Sequence, residues 1–434
     1  MTERYGEKVQ PAPDAAARPR LVLAGLGHSH LFVLEAARQG RLPACELVVC
    51  TGEARHVYSG MVPGWLAGQY TIDELSIDVT AAVRAAGGTL LPAHVTGIDP
   101  RARTLTLADG NTVPYDVCSI AVGSQVSGKA IPGVAEHAVA VKPLAAIRTI
   151  GERLDALARS GGGEVVVVGG GMAGVELALA IRARANGAAP RGAPAGTLEG
   201  ARGGQSVRVS LVSRDAVLAS DRHPRVSRRL QRVCEARGIE LRLATTPVQL
   251  DAGRITLQHA GELQRRRADL VVWATGGEAA SWLAASGLPV DARGFLLVDD
   301  RLQSVGDPRV FAAGDSASLA SWPDTPKAGC TPCAWGRGWC SRWPTHSVMG
   351  RARTPIARSS GSWRWPTQGM ERRWPRGGDW WPRDGGRCGG RTGSIVASCV
   401  GLRRLTACAT HREPDAALPA SLDSLAISVP CRGC

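Results

Sequence analysis

Hydrophobic positions along this chain fall into short blocks, each followed by a glycine-bearing turn, and the pattern holds to about residue 329 before it stops. Arg20-Leu21-Val22-Leu23-Ala24 is a compact apolar run of the kind carried by a strand buried on both faces. Gly25-Leu26-Gly27-His28-Ser29-His30 follows directly, and Leu31 to Ala37 then shows an apolar helical period. Glu164-Val165-Val166-Val167-Val168 leads in the same way into Gly169-Gly170-Gly171-Met172-Ala173-Gly174-Val175-Glu176 and the helical Leu177-Ala178-Leu179-Ala180. Further strands are expected at Glu46 to Cys50, Tyr115 to Val122, Val207 to Val212, Asp269 to Ala274 and Val310 to Ala313. Strands of this kind alternating with helices predict the α/β class.

Both glycine turns have the chemistry of a dinucleotide site. In the first, Gly25 permits the tight turn, Gly27 lets the backbone approach a pyrophosphate, and the amides at the helix start face negative charge. His30 stands where a third glycine usually does, and Cys50 or Thr51 stands where an acid is expected at the end of the next strand. A Gly-x-Gly between strand and helix is often only a turn, so this motif alone leaves the question open. The second motif is complete, with Gly169, Gly171 and Gly174. The strand ending at Val212 runs into Ser213-Arg214. An acid there would bond a ribose 2′-hydroxyl, whereas Arg214 suits a 2′-phosphate and so NADPH, a solvated strand-end arginine being the plain alternative. Ala185 to Ser206, rich in Gly, Ala and Pro, reads as an extended surface loop. Two more strands close on Gly123-Ser124 and on Gly314-Asp315, which makes the series far more specific than one motif.

The order of these motifs resembles the flavoproteins with two dinucleotide-binding domains, the pyridine nucleotide-disulfide oxidoreductase family, and within it the type II NADH dehydrogenase-like branch. Tyr58-Ser59-Gly60-Met61-Val62-Pro63-Gly64 is similar to the subgroup also found fused to selenide, water dikinase. The resemblance runs from residue 19 to 329, through Pro326-Lys327-Ala328-Gly329. It implies two Rossmann-like domains: an FAD-binding domain made of residues 19–128 and 278–329, with an NAD(P)H-binding domain, 129–277, inserted. A disordered N-terminus, 1–18, would precede them. By the same likeness Gly25, Gly27, His28, Gly123, Gly314 and Asp315 hold FAD, and Gly169, Gly171, Gly174 and Arg214 hold NAD(P)H. Glu176 would lie near the flavin–nicotinamide contact as the candidate catalytic group. His28, His30 and Tyr58 either line the flavin pocket or pack as ordinary core side chains. Hydride would pass from NAD(P)H to FAD and electrons onward to a quinone or another small-molecule acceptor. The intact family member would also touch a membrane surface peripherally.

Composition narrows the class further. An apolar content of 44% over 434 residues excludes wholesale disorder and allows two or three domains. No uncharged apolar run approaches the ~18 residues of a spanning helix, and Met1 to Arg18 lacks a secretory core. The expected location is cytoplasmic, or peripheral on the inner face of the membrane. The net charge of +14 would suggest nucleic acid, but residues 1–329 hold 36 basic and 32 acidic groups, while 330–434 hold 16 Arg, no Lys and 6 acids. The nearly balanced body argues against a nucleic-acid partner. Cys45 and Cys50 have the spacing of a redox-active pair but bracket a predicted strand, which sets them roughly 16 Å apart, too far for a disulfide. Electron transfer directly from flavin to acceptor is therefore expected.

Residues 330–434 hold eight of the twelve Cys and eight of the twelve Trp and keep neither a helical nor a strand period. Read two bases later, every Trp or Cys codon yields Leu, Val or Met. Trp343-Pro344 and Trp374-Pro375 must then each become an aliphatic or Met residue followed by Ala. The shifted frame is apolar where the present one is rich in Trp and Cys, which points to a frameshift near the codons for Gly329 and Cys330. The rivals are a zinc module built on Cys330-x-x-Cys333 and Cys431-x-x-Cys434, and a disordered Arg/Trp arm for nucleic acid. A body that binds nucleotides without turnover is the alternative function this tail raises.

Overall fold

The computed structural model describes residues 18–142, 146–186, 207–325 and 327. The expected disordered N-terminus, nearly all of the Ala185 to Ser206 loop and the 330–434 tail lie outside the described residues.

The first sheet starts with β1 (Arg20–Ala24), β2 (Glu46–Cys50), β3 (Thr89–Leu91) and β4 (Val117–Ile120). All are parallel, in the order β3-β2-β1-β4, with Leu23 opposite Val49 on one side and Ser119 on the other. Leu21 to Ala24 are at most 1% exposed, which is why this run is apolar at every position rather than at alternate ones. Helix α1 (His28–Arg38) returns over the sheet and buries Leu31, Val33 and Leu34.

The chain leaves this unit through β5 (Gln125–Val126) and builds a second parallel sheet from β6 (Ala138–Ala140), β7 (Glu164–Val168), β8 (Arg208–Val212), β9 (Ile239–Arg242) and β10 (Leu270–Trp273). Its order is β6-β10-β7-β8-β9. The return strand β11 (Gly277–Glu278) pairs antiparallel with β5, so exit and re-entry form one crossing. Trp273 Nε1 and Thr275 Oγ1 both donate to the Ser127 carbonyl at 2.7 Å and pin that crossing. β12 (Val310–Ala312) then joins the first sheet beside β4. Two three-stranded antiparallel sheets, at residues 95–114 and 245–267, complete the larger elements.

One short helix crosses between the units. Helix α2 (Val62–Leu66) belongs by chain order to the first unit, yet Val62 and Leu66 are buried in the same core as Val165, Val167, Val175 and Ile181. It packs near α3 (Ile147–Arg159) and on α4 (Met172–Ala185), and Arg184 of α4 fixes it. That guanidinium, 8% exposed, donates to the Leu66 carbonyl at 3.3 Å and to both oxygens of Asp155 at 2.8 and 2.7 Å. Burying a side chain of Leu66's size is worth about 2 kcal/mol, so the tie contributes to stability as well as position. Among the described residues no helix is long and apolar enough to cross a membrane.

Candidate functional site

In each parallel sheet the central strand runs into a glycine turn that opens a helix, and the two turns are built alike. Gly27 is the N-cap of α1 and Gly171 that of α4, and neither cap carries a side-chain hydrogen bond. The partial positive charge at the start of each helix suits a phosphate.

The glycines divide into two kinds. A Cβ on Gly25 or Gly27 would stand 2.8 or 2.6 Å from the Ala121 carbonyl oxygen, and the Gly27 amide donates to that same oxygen at 2.9 Å. Close packing on the end of β4 thus requires glycine at both positions. In the second turn a Cβ on Gly169 would lie 2.3 Å from the Ala274 oxygen, and one on Gly174 would lie 1.8 Å from the Gly169 oxygen. Gly171 alone in that motif meets nothing within 4 Å, so its missing side chain leaves a cradle that a bound pyrophosphate would fill. Gly123, with φ of +75°, also borders open space.

Asp315 sits on a single 3-10 turn, Gly314–Ser316, directly after β12. Ser316 Oγ donates to the Gly123 carbonyl at 3.2 Å and joins the two loops. Lys142 Nζ donates to Asp315 Oδ2 at 2.6 Å and to Ser124 Oγ at 2.6 Å, and Ser124 Oγ donates to Asp315 Oδ2 at 2.9 Å. Both of these bonds to Asp315 fall on Oδ2, and among the described residues Oδ1 takes none. Nearby, Lys327 Nζ lies 4.0 Å from the Phe295 ring centroid and bonds the Ala317 carbonyl. Burial brings its ammonium down to about 8.

Around the first turn the aromatic residues take separate roles. His28, at the start of α1, has its ring 5.0 Å from Tyr58, 5.9 Å from His56 and edge-on to Phe32 at 5.6 Å. His30 is wholly buried beneath the turn and lines no surface. Burial holds His30 and His56 neutral, each at about 4, against a backbone bond that acts the other way. At the second turn Glu176 lies on the first turns of α4, and desolvation raises its carboxyl to about 7. Arg214, beyond the end of β8, is 84% exposed and among the described residues makes only a loose 3.9 Å pair to Asp215, which suits its guanidinium to an anion.

The chain matches the pyridine nucleotide-disulphide oxidoreductase family over residues 29–338, well over half its length. The chain belongs to that family. The match passes nine residues beyond Gly329, the end of the resemblance carried by the sequence motifs. An NADH dehydrogenase-like protein of Mycobacterium tuberculosis is 31% identical over 237 residues, which cover 54% of this chain and 56% of that protein. The alignment thus spans little more than half the relative's length. The demethylphylloquinone reductase of Synechocystis is 23% identical over 69% of this chain and 72% of its own. Among solved structures, the water-forming NADH oxidase of Lactobacillus brevis bound to NADH superposes with a TM-score of 0.61 at 18% identity, covering 75% of this chain and 69% of that one.

Despite the family's name, the described residues of this chain hold no disulfide. Cys45, Cys50, Cys118 and Cys234 are free thiols. Cys50 ends β2 and Cys45 precedes it, so a whole strand separates them, as expected from their spacing. Burial raises the thiols of Cys50 and Cys234 to about 11 and pushes those of Cys45 and Cys118 up as well, which suppresses the nucleophilic thiolate.

Sequence reasoning missed three contributors: Lys142, the hydroxyl of Ser124, and His56. Lys142 follows a three-residue strand with no motif around it, and its partner is 173 positions away. No local signal marks such a residue.

Proposed function

We propose that this chain is an FAD-dependent oxidoreductase that takes hydride from NAD(P)H and delivers electrons to a quinone or another small acceptor. The observation that carries this reading is the pair of strand–glycine–helix turns on two parallel sheets, with Asp315 presented beside the Gly123 loop of the first. Such donors fit a dinucleotide at each turn: amides for pyrophosphate and a carboxylate for a polyol. When bound, the flavin supplies the hydride-accepting and electron-passing chemistry.

The protein's own contribution is placement. Gly25, Gly27, His28 and the α1 amides would hold the FAD pyrophosphate end, with Gly123, Gly314 and Asp315 on its polyol segment. Gly169, Gly171, Gly174 and the α4 amides would hold the nicotinamide dinucleotide. Arg214 beside a ribose 2′-phosphate favours NADPH over NADH. Glu176, uncharged below about pH 7, would sit by the nicotinamide without adding a negative charge. The buried, protonated thiols favour direct transfer to the acceptor over a dithiol relay. The quinone-reducing relative from Synechocystis supports a quinone acceptor, which would be met at a membrane surface. The units 19–128 with 278–329, and 129–277, are the corresponding FAD and NAD(P)H domains, and the 330–434 tail is the product of a shifted reading frame.

Denaturing the purified protein and identifying the released cofactor tests this reading. Release of FAD supports it, and a protein that neither carries nor takes up FAD overturns it.

A further inference from the structure

Resting on the FAD reading above, we propose that Lys142 is a positioning residue supplied by the nicotinamide unit to the flavin unit. It holds Asp315 for the cofactor and cancels its charge, so that reduction of the flavin is not opposed. Three observations converge on this. Lys142 lies just beyond β6 of the second sheet, whereas Asp315 lies just beyond β12 of the first, so their 2.6 Å ion pair joins the two units. Ser124, on the loop that leads into the crossing strand β5, closes the triangle by accepting from Lys142 and donating to Asp315. Lys142 and Ser124 both bind Oδ2, which fixes the carboxylate plane and leaves Oδ1 for a ligand hydroxyl.

The charge argument follows from the reaction. Hydride transfer from NAD(P)H to a neutral oxidised flavin leaves oxidised NAD(P) and an anionic reduced flavin. The hydrogen nucleus and both electrons go to the flavin. A carboxylate at the polyol segment disfavours, through the short distance to the ring, the negative charge that the flavin gains. An ammonium on the same carboxylate removes the penalty, and Lys327, against Phe295 and the Ala317 carbonyl, adds a second cation nearby. The partly buried pair, with 18% of the Asp315 side chain and 35% of Lys142 exposed, is less screened than a surface pair.

The test is a spectroelectrochemical titration of the FAD-loaded full chain, paired with FAD affinity by fluorescence quenching. Lys142→Met is expected to weaken FAD binding about tenfold. It should also cut the preference for reduced over oxidised flavin about tenfold, which lowers a two-electron midpoint by about 30 mV. Lys142→Arg should restore both to within about twofold, because charge is retained. In Lys142→Met/Asp315→Asn both charges are gone, so the midpoint should return toward wild type while FAD binding stays weak. If Lys142→Met does not fold, the double variant decides. A midpoint unchanged in Lys142→Met, or lowered as far in the double variant, overturns the proposal. Failure of the wild-type chain to bind FAD would instead overturn the reading on which it rests.

Discussion

The imidazole of His30 donates from Nδ1 to the Gly25 carbonyl at 2.7 Å, and its Nε2 accepts from Ser119 Oγ at 2.9 Å. A carbonyl can only accept, so the proton sits on Nδ1. In the second turn the equivalent carbonyl, that of Gly169, faces the bare Cα of Gly174 at the matching position of the motif. The same place in two similar turns is thus filled by close backbone approach in one and by a hydrogen-bonded side chain in the other. What reads as a damaged glycine motif is a different way of bracing the turn.

His30→Gly restores the motif's letters but leaves the Gly25 carbonyl and the Ser119 hydroxyl buried without that partner, beside a new cavity. A loss of about 2 to 4 kcal/mol is expected from denaturant unfolding. A change below about 0.5 kcal/mol would show that His30 is not the brace.

Acidification should destabilise the fold through the same residue. The unfolded chain protonates His30 near 6.5, while burial holds the folded value at about 4. The stability gained by keeping it neutral is full above 6.5 and drains as pH falls from 6.5 to 4, by about 3 kcal/mol at the limit. His56 acts in the same direction. Chemical unfolding across this window should show stability rising with pH, and His30→Gln should flatten that slope.

Glu176 runs the other way. Its folded value is raised to about 7 from 4.5, so its contribution falls as pH rises through that interval. Glu176→Gln should gain thermal stability relative to wild type between pH 5 and pH 8. An equal difference at both pH values would mean that the carboxyl is not held neutral by burial.

The two kinds of glycine can be separated by adding one methyl group. Gly171→Ala meets open space, so the fold should survive while NAD(P)H binding weakens by tenfold or more. Gly174→Ala places a Cβ against the Gly169 oxygen and should reduce folded yield instead. Thermal melts alongside nicotinamide titrations distinguish these outcomes.

Much of this architecture was legible because parallel strands buried on both faces leave unbroken apolar runs. β1, β7, β10 and β12 all stand where such runs end at glycine, alanine or threonine. Asp315 and Gly171 were legible because they belong to local motifs. Lys142 and Ser124 were not, since they meet Asp315 across 173 and 191 positions and obey no period. Helix α2 was equally hidden: five residues carry too little pattern to show that Val62 and Leu66 fill the other unit's core.

The most direct test of the central claim is an anaerobic titration of the purified, FAD-loaded chain with NADPH and with NADH, followed by a soluble quinone. The visible flavin absorbance is expected to bleach with one equivalent of nicotinamide, more readily with NADPH because of Arg214, and to return on adding quinone. Bound flavin that neither nucleotide bleaches would contradict the claim.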